Sequence, residues 1–358
     1  MKKTILLSLL FSLIFNFSKA QSIEKFADSI RKKYSIPELN YAVLSSDKII
    51  EMKALGYKKE GSDSKAALTD RFRIGSNTKT VTSYIALLLV KEGKINWNTK
   101  FFDLYPELKK KSNPAYYNVT LQDLLTFRAK IIGWSYTNEK PSQNEIHGDE
   151  QQQRYEFVSW ILQQNPPKEK YSVYWSNPSY VIASLMLEKA SGKQYAVLVN
   201  ELGKKLKIKF DFGQPNFKDI KQTWGHNEKL EPENPSDNYK LNWLSSAGNI
   251  NVSLADYTKF VQLQLQGLLG KSKVASAEDF NFMHYGLPEF SFGWNSETDE
   301  TTHLKYSWHE GTPGSFLTQV YICKDTDKAF VFFANVQSDK AREGLALLFE
   351  KLNKKYSK

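Results

Sequence analysis

Residues 84–90, Tyr-Ile-Ala-Leu-Leu-Leu-Val, form an apolar run inside a segment that opens near Ser76 and stops at Glu92-Gly93. At helical periodicity this run is apolar on every face, so the helix must be central and covered on all sides. A glycine just after the last periodic residue is a common C-terminal stop. Only a sizeable globule can wrap such a helix. The 358 residues, 41% of them hydrophobic, supply one large domain or two closely packed ones. The 22 Phe, 19 Tyr and 8 Trp exclude a disordered chain.

The first twenty residues, MKKTILLSLLFSLIFNFSKA, read as a secretory signal. Lys2 and Lys3 lead, Ile5–Phe17 is apolar, and Ser18-Lys19-Ala20 offers a small-residue cleavage site. The expected product is one domain over 21–358, periplasmic or secreted, with no membrane span once the signal is removed, because no later stretch is as long and free of charge. No cysteine follows the apolar run, so no lipid anchor is expected. The single cysteine, Cys323, excludes an internal disulfide and sits in an alternating strand pattern that favours burial. The formal charge is +10. Its scattered lysines fit plain solubility as well as a place beside anionic envelope polymers, and they form no nucleic-acid patch.

Residues 23–34 read as an amphipathic helix and 40–57 as two strands around a Ser-Ser-Asp turn. Helices are expected at 119–127, 154–164, 178–191, 194–203 and 254–267, separated by polar loops, notably 131–153 and 206–240. After residue 288 closely spaced strands take over, and 339–356 closes the chain as an amphipathic helix. The fold class is therefore α/β in the α+β sense. An antiparallel sheet built from both termini (about 21–75 and 285–358) is flanked by helices and receives a mostly helical insertion (about 76–284). The seam between the two is the expected place for a ligand.

Ser76 and Lys79 stand three apart, so on a helix the ammonium can reach the hydroxyl. A serine needs a neighbour to take its proton before it becomes a nucleophile, and a lysine can do so only if burial or the helix dipole lowers its pKa. Spacing alone does not separate this reading from a helix cap. Ser-x-x-Lys also occurs at Ser22/Lys25, Ser29/Lys32, Ser45/Lys48 and Ser62/Lys65. Only Ser76 opens a helix that has to be buried.

FRIGSNTKTVTS (72–83) resembles the nucleophile segment of the serine β-lactamase and penicillin-binding protein superfamily, in its class C β-lactamase-like branch. That branch also holds D-alanyl-D-alanine carboxypeptidases, D-aminopeptidases and esterases. YWSNPSYVIASLMLEKASGK (174–193) is similar to its Tyr-x-Asn segment and LSSAGNINVSLADYTKFVQLQLQG (244–267) to its Ser-Ala-Gly segment. FSFGW (290–294) and WHEGTPGSF (308–316) are similar to the strand pair that carries a Lys/His-x-Gly triplet, and VFFANV (331–336) to the closing strand. The ordered segments cover roughly residues 22–355.

The resemblance implies a β-lactamase/transpeptidase-like fold, no cofactor, and a small-molecule or peptide substrate, natural to cell wall. It implies that Ser76 is acylated while Lys79 takes its proton, and that Asn177 holds Lys79 and the substrate amide. His309 would face the substrate's carboxylate or leaving group. The N–H groups of Ser76 and of Thr312, just past His309-Glu310-Gly311, would form the oxyanion hole. Bland readings stand beside these. Asn177-Pro178 is also a good helix start, and His309 could be an ordinary strand residue before a turn. His147, His226, His284 and His303 have no metal-ligand spacing, so no metal site is expected.

Two departures stand out. The family tyrosine falls on Trp175, whose indole N–H donates but cannot accept a proton. Trp175 and the adjacent Tyr174 are candidates for substrate contact, although strand alternation turns Tyr174 to the opposite side. Phe127-Arg128-Ala129-Lys130 replaces the His-Thr-Ser-Gly typical of relatives, so substrate specificity is not inherited. The leading expectation is an exported serine hydrolase acting on a β-lactam, D-amino-acid peptide or ester. The alternative is a binding or regulatory protein that kept the fold and lost turnover through Trp175.

Overall fold

The computed structural model describes residues 22–236 and 238–357, and the signal segment expected at 1–20 lies outside them. Helix α1 (Ile23–Lys33) is capped by the Ser22 hydroxyl, which accepts from the Lys25 N–H. Strands β1 (Glu38–Leu44) and β2 (Ile49–Gly56) form the expected hairpin. The further strands are β3 (Arg71–Arg73), β4 (Asp211–Phe212), β5 (Ile250–Ser253), β6 (Phe290–Ser291), β7 (Trp294–Thr298), β8 (Lys305–Gly311), β9 (Leu317–Cys323) and β10 (Lys328–Ala334).

Seven of these make one sheet in the order β2-β1-β10-β9-β8-β7-β6. Every neighbouring pair is antiparallel. The N-terminal hairpin thus docks on the C-terminal strands, with Tyr41 opposite Phe332. Every residue of β1 is buried, because both faces of the sheet are covered. Leu39, Tyr41 and Val43 point to α1 and the closing helix Asp339–Tyr356, while Ala42 and Leu44 join the central core.

Helix α2 (Thr78–Lys91) runs through that core, with Thr78 through Leu87 and Leu89 buried. Helices Asn177–Ser191 and Tyr195–Leu206 pack against it. Its buried hydroxyls are satisfied: Thr82 Oγ1 bonds Ser246 O and Tyr195 Oη at 2.7 Å each, and Ser83 Oγ bonds Tyr180 Oη. Wide apolar contact sets the position of the helix, and its first turn is thereby held where the sheet meets the helical region.

Several boundaries differ from expectation. A second, three-stranded sheet, β3-β5-β4, was not foreseen, since its strands are two to four residues long and pair across the whole insertion. The stretch 206–240, expected as a loop, contains β4 and the helical turn Pro215–Lys218. The helix expected at 119–127 shrinks to Leu121–Leu125, held by a reciprocal cap between Thr120 and Asp123. No helix among the described residues is long and apolar enough to cross a membrane.

Candidate active site

The site begins with two glycines. Gly75 adopts φ +50°, and a Cβ there would lie 2.8 Å from the Thr312 nitrogen and from Pro313 Cδ. Gly311, at the end of β8, would put a Cβ 1.9 Å from Ile74 O. The absence of both side chains lets the Ile74–Ser76 turn press against the end of β8. Thr318 Oγ1 donates to Ile74 O at 3.0 Å and accepts from Asn77 Nδ2 at 2.8 Å, tying the turn to β9 as well. The Thr312 amide is thereby set against Gly75, the residue before Ser76.

Ser76 lies in a single 3-10 turn, Gly75–Asn77, just ahead of α2. It does not cap the helix: Asn77 holds the N-cap position, with no side-chain cap bond. Lys79 Nζ instead reaches Ser76 Oγ at 3.0 Å, Asn177 Oδ1 at 2.9 Å and Ala247 O at 2.8 Å. Burial alone lowers the Lys79 pKa from 10.5 to about 7.

Asn177 is not the cap of its helix either. Ser176 takes that place, its hydroxyl accepting from Ser179 N–H, and Asn177 begins the first turn. Its side chain is therefore free to hold Lys79 through Oδ1 and to donate from Nδ2 to Trp134 O at 3.2 Å. His309, on β8, is buried, and its Nδ1 has no hydrogen-bond partner among the described residues. Burial, then the nearby Lys79 charge, push its pKa down to about 3, against an opposing backbone contact with Gly293. The imidazole is neutral at physiological pH.

Ser76, Lys79, Trp175, Asn177 and His309 line one cavity of about 620 Å³. Trp175 stands at its wall, 56% exposed, with its ring 5.0 Å from that of Phe127 and 4.9 Å from that of Phe290. Tyr174, a candidate for substrate contact, is outside this wall, and its N–H donates to Phe127 O at 2.9 Å. Gly311 and Thr312 are not among the residues of this wall; they pack against the Ile74–Gly75 backbone. The 131–153 loop contributes Gly133, Trp134, Ser135 and Asn138 to the wall. Residues 206–236 contribute none. They brace the turn after Thr312, where His226 N–H donates to Ser315 O and Ser315 Oγ to the Glu233 carboxylate. The replaced tetrapeptide has a structural task. Arg128 donates to Thr126 O, Phe290 O and Pro288 O, fastening the Phe127 turn to β6.

Ala247 O and Trp134 O were missed. Both are backbone acceptors, and no side-chain type announces them. Trp308 and Asn295, also on the wall, lie in or beside segments singled out for other residues.

The architecture has counterparts among solved structures. One is the octameric penicillin-binding protein homologue from Pyrococcus abyssi, with a TM-score of 0.73 at 16% identity over 92% of this chain and 77% of that one. Another is a class C beta lactamase from Rhodobacter sphaeroides, with a TM-score of 0.73 at 15% identity over 92% and 99%. These likenesses define the β-lactamase/transpeptidase fold class. The chain belongs to the Beta-lactamase family, whose profile matches residues 23–352. It is 24% identical over 337 residues to Protein flp of Staphylococcus aureus (strain MW2), spanning 89% of this chain and 64% of that protein. It is 23% identical over 310 residues to the unguisins hydrolase ungD' of Aspergillus campestris, spanning 79% of this chain and 56% of that protein. The chain thus covers less than two thirds of either relative.

Proposed function

We propose that this protein is an exported serine hydrolase that carries the acyl group of an ester or amide on Ser76. One observation carries the reading: Lys79 Nζ, on a buried side chain, is held at once by Ser76 Oγ, Asn177 Oδ1 and Ala247 O. A neutral amine has two N–H bonds and one lone pair. The two carbonyl oxygens take the N–H bonds, and the lone pair is left for the Ser76 hydroxyl.

In acylation Ser76 Oγ bonds to the substrate carbonyl carbon while its proton passes to Lys79. The N–H groups of Ser76 and Thr312 hold the oxyanion. Lys79 returns the proton to the leaving oxygen or nitrogen as the C–O or C–N bond breaks. Water then attacks the acyl carbon, gives its proton to Lys79, and the acid product leaves as Ser76 regains its hydrogen. Burial pushes the His309 pKa down to about 3, which leaves it a much weaker base than Lys79, and Trp175 has no acceptor to offer. Family membership and the hydrolase named among the relatives support the reaction class. Export rests on the first twenty residues of the sequence.

Incubation with a fluorophosphonate followed by intact mass and peptide mapping tests the reading. One adduct on Ser76, absent in Ser76→Ala, is expected. No adduct on folded protein contradicts it. A second reading, a binding protein without turnover, is favoured by Trp175 alone. It predicts one slow acylation and no product.

A further inference from the structure

The cavity wall mixes four aromatic side chains with small polar ones, and of the four Trp175 is the exposed one, Phe127 and Trp134 being buried. Phe127, Trp134, Trp175 and Trp308 contribute to it. Trp134 is fixed by its indole N–H donating to Lys140 O at 2.7 Å, and its ring packs 4.7 Å from that of Phe157. Trp175 is wedged by Phe127 and Phe290 yet stays more than half exposed, an indole face left for something flat to cover.

Among the described residues of the wall the ionisable groups are Lys79, His309 and Glu310. Lys79 is committed to Ser76, and the imidazole is neutral. The Glu310 carboxylate is already engaged by Arg342 (3.0 Å) and by Gln319 Nε2 (2.8 Å). Of the nearby cations, Arg128 donates to three backbone carbonyls, Lys240 to Asn138 O, and Arg342 is shared between Glu310 and Asp339. Arg73 is fully buried and outside the wall. A substrate carboxylate bound here would lose its water and meet the Trp175 ring and a guanidinium, Arg342, that two carboxylates already occupy, an unfavourable exchange.

We propose that the group transferred to Ser76 comes from an uncharged, aromatic ester or amide, and that substrates with a free carboxylate beside the scissile bond are rejected. The inference rests on the hydrolase reading above and specifies its substrate class. Acylation follows the steps already given, with a neutral alcohol or amine leaving with the proton from Lys79.

The test compares matched esters on the purified protein: phenylacetyl 3-hydroxybenzoate, its methyl ester, and the acetyl analogue of that methyl ester. Release of the phenol is followed, so slow deacylation still leaves a readable acylation burst. The uncharged phenylacetyl ester should exceed both the carboxylate and the acetyl analogue in kcat/KM by about tenfold or more. Trp175→Ala should shrink the phenylacetyl-over-acetyl ratio, and Asn138→Lys should raise the carboxylate ester relative to its methyl ester. Equal or faster cleavage of the carboxylate ester, with Ser76 still labelled by fluorophosphonate, overturns this inference and leaves the hydrolase reading intact. No phenol release and no labelling overturn both.

Discussion

Lys79 Nζ lies 3.0 Å from Ser76 Oγ, and among the described residues no carboxylate joins its hydrogen bonds. The amine is surrounded by a hydroxyl, an amide oxygen and a backbone carbonyl. Without a counter-ion, burial dominates and the neutral form becomes accessible near pH 7. The consequences of that arrangement can be measured.

Asn177→Asp would set a carboxylate where an amide oxygen now sits 2.9 Å from Lys79. An adjacent negative charge favours the ammonium, so the Lys79 pKa should rise by about one unit or more. Labelling of Ser76 should slow at pH 7 and recover above pH 8 or so, read as a displaced pH–rate profile. An unshifted profile would mean that another group sets it.

Trp175→Tyr restores a hydroxyl at the wall. If Lys79 alone takes the proton, acylation should change by no more than about threefold. A gain of about a hundredfold would show that the chain lacks a proton acceptor, as the binding-protein reading requires.

Gly311→Ala would drive a Cβ to 1.9 Å from Ile74 O, a backbone atom that cannot swing away. A loss of about 3 kcal/mol or more in urea unfolding is expected. In the fraction that still folds, Ser76 labelling should also slow, because the Thr312 amide is displaced from the Ser76 turn.

Arg154 and Glu188 join helices Glu150–Leu162 and Asn177–Ser191 through a 2.6 Å ion pair, with side chains 5% and 2% exposed. Glu188 also accepts from Tyr195 N–H. Arg154→Met leaves that carboxylate buried and uncompensated, and should destabilise by about 3–5 kcal/mol. A thermal melt that hardly moves would contradict the assignment.

The main sheet, the central helix and the closing helix 339–356 were readable because long apolar periodicities leave few alternatives. The serine–lysine pair was not readable from spacing, and the structure shows why. Ser22 is a true cap for Lys25 N–H, and Ser45 closes a turn with Lys48. Ser29 and Ser62 turn back to the carbonyls of Phe26 and Lys59. The same four-residue pattern serves local hydrogen bonds wherever water can reach the lysine. At Ser76 the helix is buried, and the lysine turns inward to the hydroxyl, Asn177 Oδ1 and Ala247 O. Choosing between Ser176 and Asn177 as cap was likewise beyond the sequence, since both types cap well and Pro178 suits either register. The β3-β5-β4 sheet left no signal at all, because strands of two to four residues carry no periodicity.

The most direct test is the pH dependence of Ser76 acylation by an uncharged ester in the wild-type chain. The base must be neutral to accept the serine proton. With the Lys79 pKa lowered to about 7 by burial, the rate should climb through that pH and level off above it. A rate that is flat from about pH 5 to 9, or that rises only near pH 10 as for a solvated lysine, would contradict Lys79 as the base.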